Sequence, residues 1–587
     1  MKKRIFAALA PLIRPAVDPI RSTLELAPEA ELNGLALFLY PKTTPKSPPM
    51  RALALARSSL ARRPPSAILL GIARSHATAT ASTAIADGAS GPLPFSAMPR
   101  LPTYPLVGSI PYIASLDPTG SKMKGMHEVM AKIALLPPTD GGSVVRWRSP
   151  AYGQDGLIVS DPEAALDVYR NEAREPHRTT MPSWTLYREE KGITKGVALS
   201  QGEEWRRLRF AANDLIFKPQ IVHSKFTQGL ASPTTQLMDV IESHMRASGP
   251  DALSGHQRLA LEDTVMRWSI EAVSSVVLAR PMGALNADGT GTNPLTARMI
   301  KSFTALLQST GPIIYLPEWT WRNPTIRQFV PVARDHWRDL EEFHTVCEEL
   351  VSGTLAELAA KPGALEGSFF GMLLARDQNL TRDEMYSFAN DFMNAGIDTT
   401  SRSALHTTYL LGQYPAVQEK LRAEVLEVVG PEPNGVEVSH LPKLKYMRNV
   451  IKESMRMIPV AALNGRRVTR PTVIGGYEIP AGTEIIINHY GMSHNPRHVA
   501  NPAVFDPERW DSDSAPHGGV SNPFGYGARM CIGRRIAELE LTVFFANLVR
   551  RFQVEPSPEP LNLYMQLLLG NAEPMPIRLS VRDNKPL

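Results

Sequence analysis

The 587-residue chain has two cysteines, Cys347 and Cys531. Two thiols cannot build a disulfide framework, so nothing here supports an oxidising, secreted life. Zinc and iron–sulfur sites need several Cys or His side chains at close spacing, and that clustering is missing too. Long apolar runs are also missing. IFAALAPLI and SAILLGIA are the longest, about half of the roughly 18 residues that a spanning helix needs. One long stretch has no acidic residue: Met50 to Ala86 holds five arginines and no Asp or Glu, with Ala, Ser and Thr making up most of the rest. Arg-rich, Ser-rich and acid-poor is the pattern of an organelle transit peptide. Asp18, Glu25, Glu29 and Glu31, further upstream, do not suit a presequence. Met50 is therefore the expected start, with the first 49 residues an extension of the gene model. The body has almost no net charge. Residues 1–93 carry twelve Lys and Arg against five Asp and Glu, and the other 494 carry 51 against 53. Nucleic-acid binding gains no support from that balance.

Hydrophobic residues make up 43% and charged residues 21%, ordinary for a soluble globular protein. The length exceeds a usual single core. From Pro92 to Pro111, PLPFSAMPRLPTYPLVGSIP holds six prolines, which predicts an extended N-terminal arm. Beyond it, long helical patterns alternate with short strand-like pieces, and no repeat or linker interrupts them. The expectation is a leader over residues 1–93, then one large, mainly α domain over 94–587 with a smaller β part and an intimate two-part body.

Thr381 and Glu384 form a Thr-x-x-Glu capping box, which Leu380 can staple. No proline follows until Pro415. That permits a helix of about 30 residues, long enough to cross a domain. Its centre reads AGIDTT, Ala395 to Thr400, in which Gly396 and the Asp398-Thr399-Thr400 run are poor helix-interior residues. Local distortion is expected there. A second helix, KLKYMRNVIKESMRMIP, puts Glu453 and Arg456 on one face. GGYEIPAGTEIIIN reads as two strands around the turn Pro480-Ala481-Gly482, and NPAVFDPERW as a Pro-punctuated loop.

Cys531 lies in PFGYGARMCIGRR. It precedes a helical pattern carried by Ile536, Leu539, Val543 and Phe544. Glycines let backbone amides approach a sulfur, and a helix mouth favours an anion, so a lowered thiol pKa is expected. Three readings stay open from the residues alone: a buried structural cysteine, a nucleophile, and an axial ligand of haem iron.

The stretch resembles the cytochrome P-450 signature, with Phe524, Gly527, Arg529, Cys531 and Gly533 in place. AGIDTT resembles that family's oxygen-activating helix and ESMR its Glu-x-x-Arg pair. PERW resembles its Pro-Glu-Arg-Phe motif, with Trp510 for Phe. WRRLR supplies Trp205 and Arg209, similar to its Trp-x-x-x-Arg haem contact. VYRNEAREPHR and CIGRRIAELEL look like the mitochondrial branch. The resemblance implies the cytochrome P-450 fold, with haem b between a long central helix and the cysteine loop. It implies Cys531 as the axial thiolate, Arg209, Arg466 and Arg529 on the propionates, and Trp205 donating at the same edge. Asp398 and Thr399 are implied to relay protons, and Glu453, Arg456 and Arg509 to form a buried charge network. Arg448 and Lys452, with Arg534 and Arg535 beside them, are implied to dock a [2Fe–2S] ferredoxin served by an NADPH-dependent reductase. The implied activity inserts one oxygen atom from O2 into a sterol-like or other lipophilic substrate. The implied address is mitochondrial, on the matrix side of the inner membrane, with peripheral membrane contact. A haem-thiolate isomerase or peroxygenase without a redox partner, or a non-catalytic haem carrier or sensor, would need no proton relay.

Overall fold

A computed structural model of the chain describes residues 91–105, 107–117, 125–137, 143–149, 154–179, 181–248, 255–286, 289, 291, 293–314, 316–361, 367–376, 380–431, 435–511, 515–565 and 567–582. Met50 and the arginine-rich leader up to Ser90 lie outside the described residues.

The main elements run in this order: α1 Met126–Ala134, β1 Val144–Arg148, β2 Asp155–Val159, α2 Pro182–Lys191, α3 Gly202–Ile216, α4 Pro219–Ser248, α5 Gly255–Val277, α6 Pro294–Ile313, α7 Pro331–Ala360, α8 Arg382–Gln413, α9 Pro415–Val428 and α10 Lys445–Met457. Then follow β3 Leu463–Arg467, β4 Thr472–Ile474, β5 Tyr477–Ile479, β6 Glu484–Asn488, α11 His489–His494, α12 Arg534–Arg551, β7 Phe552–Glu555, β8 Leu563–Met565, β9 Leu569–Asn571 and β10 Arg578–Val581.

Helices dominate, as expected. α8 spans 32 residues, and both halves of the Thr381/Glu384 capping box are formed. At 1.5 Å per residue it is about 48 Å long. α5 and α10 pack along it, and α12 crosses it. The expected distortion at AGIDTT is not there: α8 runs through residues 395–400 without a break. Gly396 has a packing reason instead. A Cβ at that position would sit 2.6 Å from Val273 Cγ2 on α5, so the glycine lets the two helices approach. Thr399 satisfies its hydroxyl by donating to Ala395 O at 2.6 Å, the local bond by which threonine is accommodated inside a helix.

The predicted strands of GGYEIPAGTEIIIN exist, but they do not pair with each other. β5 pairs with β4, whereas β6 joins a four-stranded sheet of order β1-β2-β6-β3. In that sheet β6 runs parallel to β2, with Leu157 opposite Ile485, and antiparallel to β3, with Arg466 also opposite Ile485. Gly482, at φ +87°, redirects the chain from one sheet to the other. Parallel and cross-sheet pairings join segments far apart in the chain, so local pattern cannot specify them. The described part of the proline-rich arm is extended in part: it turns at Phe95–Ala97 and again between Tyr104 and Gly108, enters a short helix at Ile110, and bridges to Tyr477 and Arg146. Two apolar cores matter most for the site, with smaller clusters elsewhere. The larger lies among the helices around Trp205, Trp268, Phe388 and Phe544. The smaller, with Leu157, Val159, Ile485 and Ile487, backs the four-stranded sheet.

Replacing Gly396 with Ala should therefore overpack the α5–α8 contact and cost about 1–3 kcal/mol. Adding Val273→Ala should recover most of it. Chemical denaturation of the single and double variants checks this, and an unaffected single variant would contradict the contact.

Candidate functional site

The loop before α12 is shaped by two left-handed glycines, Gly525 at φ +70° and Gly527 at φ +76°. Few side chains tolerate that conformation. The space is closed as well: a Cβ on Gly525 would meet Asn464 Nδ2 at 2.8 Å, and one on Gly527 would meet Glu172 Oε2 at 2.9 Å. Cys531 N donates to Phe524 O at 2.7 Å, which closes the loop. Gly533 differs. Its φ is −82° as the N-cap of α12, and a Cβ there would come only within 4.0 Å of Cys531 Sγ. Its contribution is a backbone N–H directed to the sulfur.

Cys531 faces a cavity of about 300 Å³ between α8 and the cysteine loop, within the range of pockets that enclose organic ligands. Val197, Val273, Val276, Val277 and Phe392 line its apolar part, and Thr399 stands on the α8 wall. The thiol does not behave as its helix-mouth position suggested. Burial raises its pKa, outweighing the Gly533 N–H and the cations Arg178, Arg209 and Arg534. Desolvation works against any charge that nothing balances. A metal ion bound to the sulfur reverses that preference, because a coordinating thiol loses its proton.

Cations crowd one edge of the cavity. Arg529 Nε donates to Pro176 O at 2.8 Å, its Nη2 to Ser200 O at 2.8 Å and Gln201 Oε1 at 2.7 Å, and its guanidinium lies 4.0 Å over the Trp205 ring. All three acceptors are neutral. Burial, then the like charges of Arg178, Arg466 and Arg209, push its pKa down. Arg209 donates to Met530 O at 2.8 Å, yet its Nε is buried with no partner, and burial pushes this group down as well. Arg466 is ion-paired with Glu172 and donates to Asn464 Oδ1 at 2.9 Å. Arg178 is enclosed with the others, its pKa lowered by burial and by Arg466. Among the described residues its guanidinium has no hydrogen bond or ion pair, and neither has the Trp205 indole N–H. A guanidinium keeps its proton in proteins, and buried charge needs a counter-charge. So the cavity edge calls for anions. An iron porphyrin with two carboxylates and one open axial position fits this donor set. Arg178 and Gln201 were not anticipated. They sit in irregular backbone on either side of α2, Gln201 as the N-cap of α3, and only the cluster reveals them.

Glu453 is fully enclosed at the centre of the second charged constellation. Its Oε1 accepts from Arg456 Nη2 at 2.9 Å and Arg509 Nε at 2.8 Å, and its Oε2 from Arg456 Nε at 3.0 Å and Trp510 Nε1 at 3.0 Å. The Trp510 bond is one that a phenylalanine cannot make. Arg456 Nη1 also donates to Ser493 O at 2.9 Å and Arg509 Nη2 to Val504 O at 3.0 Å. One carboxylate and two guanidiniums thereby tie α10 to the loop around Pro507–Trp510.

The structure separates Asp398 from Thr399. Asp398 is buried off the cavity wall and paired with Arg402 at 2.7 Å. Glu540 on α12, not anticipated either, is a buried acid at the cavity with Thr400 as hydrogen-bond partner, and burial raises its pKa to about 8. Arg448 and Lys452 are exposed on the outer face of α10. Arg448 donates to Leu441 O at 3.1 Å, and the Lys452 ammonium lies 3.7 Å over the Trp510 ring. Arg534 and Arg535 share Glu538, at 2.8 and 3.0 Å.

The "Cytochrome P450" family model matches residues 99–576. The chain belongs to the cytochrome P-450 family. Members carry haem on a cysteine thiolate, and this chain is a cytochrome P-450 monooxygenase with the family's mainly α fold. It is similar to "Sterol 26-hydroxylase, mitochondrial" of Mus musculus, 27% identical over 503 residues, which cover 83% of this chain and 90% of that protein. The Homo sapiens protein of the same name is 29% identical over 424 residues, 70% of this chain and 77% of that one. "Cytochrome P450 27C1" of Danio rerio is 29% identical over 415 residues, 69% and 73% of the two chains.

Glu453→Gln would leave two buried guanidiniums without their carboxylate. Breaking such a pair costs about 3–5 kcal/mol. The expected result is a low yield of haem-containing protein and not a folded, slow enzyme. Haem content per purified chain checks it, and a fully loaded, stable variant would contradict it.

Proposed function

We propose that this cytochrome P-450 hydroxylates a sterol-like or other lipid substrate in mitochondria, on haem b held by Cys531, with electrons from a [2Fe–2S] ferredoxin and its NADPH-dependent reductase. The observation that carries the reading is one cavity combining a lone inward thiol, a cluster of guanidiniums short of anions, and an apolar wall. The haem, when bound, supplies the iron at which O2 is activated. One oxygen atom enters the substrate and the other leaves as water, with two electrons and two protons consumed.

The chain's own residues bind, orient and move protons. Arg178, Arg209, Arg466 and Arg529 hold the two propionates by charge-assisted hydrogen bonds, and Trp205 adds its N–H. Arg466 divides its donors between a propionate and Glu172. Val273, Val276, Val277 and Phe392 bind apolar surface and exclude water, which suits a lipid. Thr399 carries a hydroxyl on the cavity wall beside Gly396, and it passes protons from Asp398 to the reacting oxygen. Glu453, Arg456 and Arg509 keep the cysteine side of the fold in place.

The address rests on the arginine-rich leader and on the names of the mitochondrial relatives. Residues 1–93 act as that leader, and residues 94–587 form the working domain. No helix among the described residues is long and apolar enough to cross a membrane, and contact with the matrix side of the inner membrane is peripheral. Arg448 and Lys452, exposed one turn apart, suit an acidic partner.

Reconstitution with NADPH, ferredoxin reductase and ferredoxin tests the partner. Reversing charge at both positions, Arg448→Glu with Lys452→Glu, should raise the ferredoxin concentration for half-maximal turnover about tenfold and flatten its salt dependence, at unchanged haem content. Unchanged ferredoxin and salt dependence would reject the docking face.

A further inference from the structure

The guanidiniums and the Trp205 indole are not the whole of the donor excess at the cavity. His489 stands where β6 ends and α11 begins, beside β3. Asn488 is paired opposite Leu463, and Tyr490 N donates to Ala462 O at 3.1 Å. The His489 ring lines the cavity together with Leu463, Asn464, Phe524 and Gly525. The residue is 3% exposed, and its Nδ1 is buried without a hydrogen bond.

The other ring nitrogen belongs to a chain of polar contacts. Nε2 faces the Tyr169 hydroxyl at 3.5 Å. Arg466 Nη1 donates to Asn464 Oδ1 at 2.9 Å, which turns the NH2 side of that amide to the Tyr169 oxygen. The Tyr169 oxygen therefore accepts, and its O–H is left to donate to His489 Nε2. A neutral imidazole that accepts at one nitrogen carries its proton on the other. Burial keeps the ring neutral, pushing its pKa down to about 4. The orphan atom is thus an enclosed N–H donor, and leaving such a donor unpaired is costly.

We propose that His489 is a further cofactor-binding residue: its Nδ1–H donates to a haem propionate on the Arg466 side, with Tyr169 and Asn464 holding the ring in the donor tautomer. The proposal rests on the haem reading of the cavity. Two observations favour a propionate over a substrate group as the acceptor. The imidazole is tied through Tyr169 and Asn464 to Arg466, and the Tyr169 ring also lies 5.2 Å from the Arg466 guanidinium. Moreover, the guanidiniums of Arg178, Arg209, Arg466 and Arg529 already outnumber Glu172 and two propionates. A neutral donor adds a charge-assisted bond without adding to that excess.

Two readouts test this without turnover: haem loss to excess apomyoglobin, and the propionate bending band in the resonance Raman spectrum. His489→Leu should speed haem loss about tenfold, as expected for a lost hydrogen bond to a charged group, and should shift the band. His489→Gln keeps an N–H donor and should stay within about threefold of the wild type. Tyr169→Phe leaves the imidazole in place but frees its tautomer, so it should move the band part of the way. Loading with haem dimethyl ester completes a cycle: an ester is the weaker acceptor, so the gap between wild type and His489→Leu should fall to within about twofold. Wild-type haem loss and an unmoved band in His489→Leu and Tyr169→Phe would overturn the proposal. So would a gap that the dimethyl ester reproduces in full, which marks a packing defect. If His489→Leu fails to fold, the band in Tyr169→Phe decides. A wild type that took up no haem would sink the haem reading and this one with it, whereas an unmoved band in haem-loaded variants sinks this one alone.

Discussion

Four guanidiniums, Arg178, Arg209, Arg466 and Arg529, meet at one edge of a buried cavity with Glu172 as the nearby acid. Buried charge of one sign is costly unless something balances it, so most other features of the site can be traced to this excess. Carbonyls of Pro176, Ser200 and Met530 are turned toward the cations and blunt the cost without cancelling it. Trp205 offers a π-face to Arg529. The remaining deficit is matched by a porphyrin with two carboxylates. A haem held there would couple its binding to folding, because its carboxylates and iron would offset the cost of the enclosed cations and of the desolvated thiol.

The long helix α8 separates jobs by its two faces. The cavity face combines small and hydroxyl side chains with Gly396, whose missing Cβ lets α5 close against it. Asp398 lies off that wall, ion-paired with Arg402 one turn further along the helix. On α10, which packs against α8, Glu453 works as fixed architecture. It shows the same chemistry, carboxylate with guanidinium, with four side-chain donors on its two oxygens.

The features legible from the chain alone were those with a local cause. The α8 capping box, the left-handed glycines of the cysteine loop and the extended proline arm all follow from short-range rules. The second strand of GGYEIPAGTEIIIN was visible, but its partner β2 lies far back in the chain, and parallel pairing leaves no local trace. Arg178 and Gln201 sit in irregular backbone and look like any exposed polar residues until the fold brings them to Arg529. Resemblance marked Asp398 as a proton carrier, but its side chain is ion-paired with Arg402 off the cavity wall. The affinity of Cys531 for its proton was misjudged for a similar reason. Helix-mouth geometry is local, whereas the desolvation that outweighs it comes from the whole fold.

The central claim is that the isolated thiol of Cys531 completes this anion-seeking cavity by binding haem iron. The reduced, carbon monoxide-bound spectrum reads that bond directly, since thiolate ligation shifts the Soret band strongly to the red. The wild type should show the shifted band, and Cys531→Ala should lose it. The same shifted band in Cys531→Ala would contradict the account.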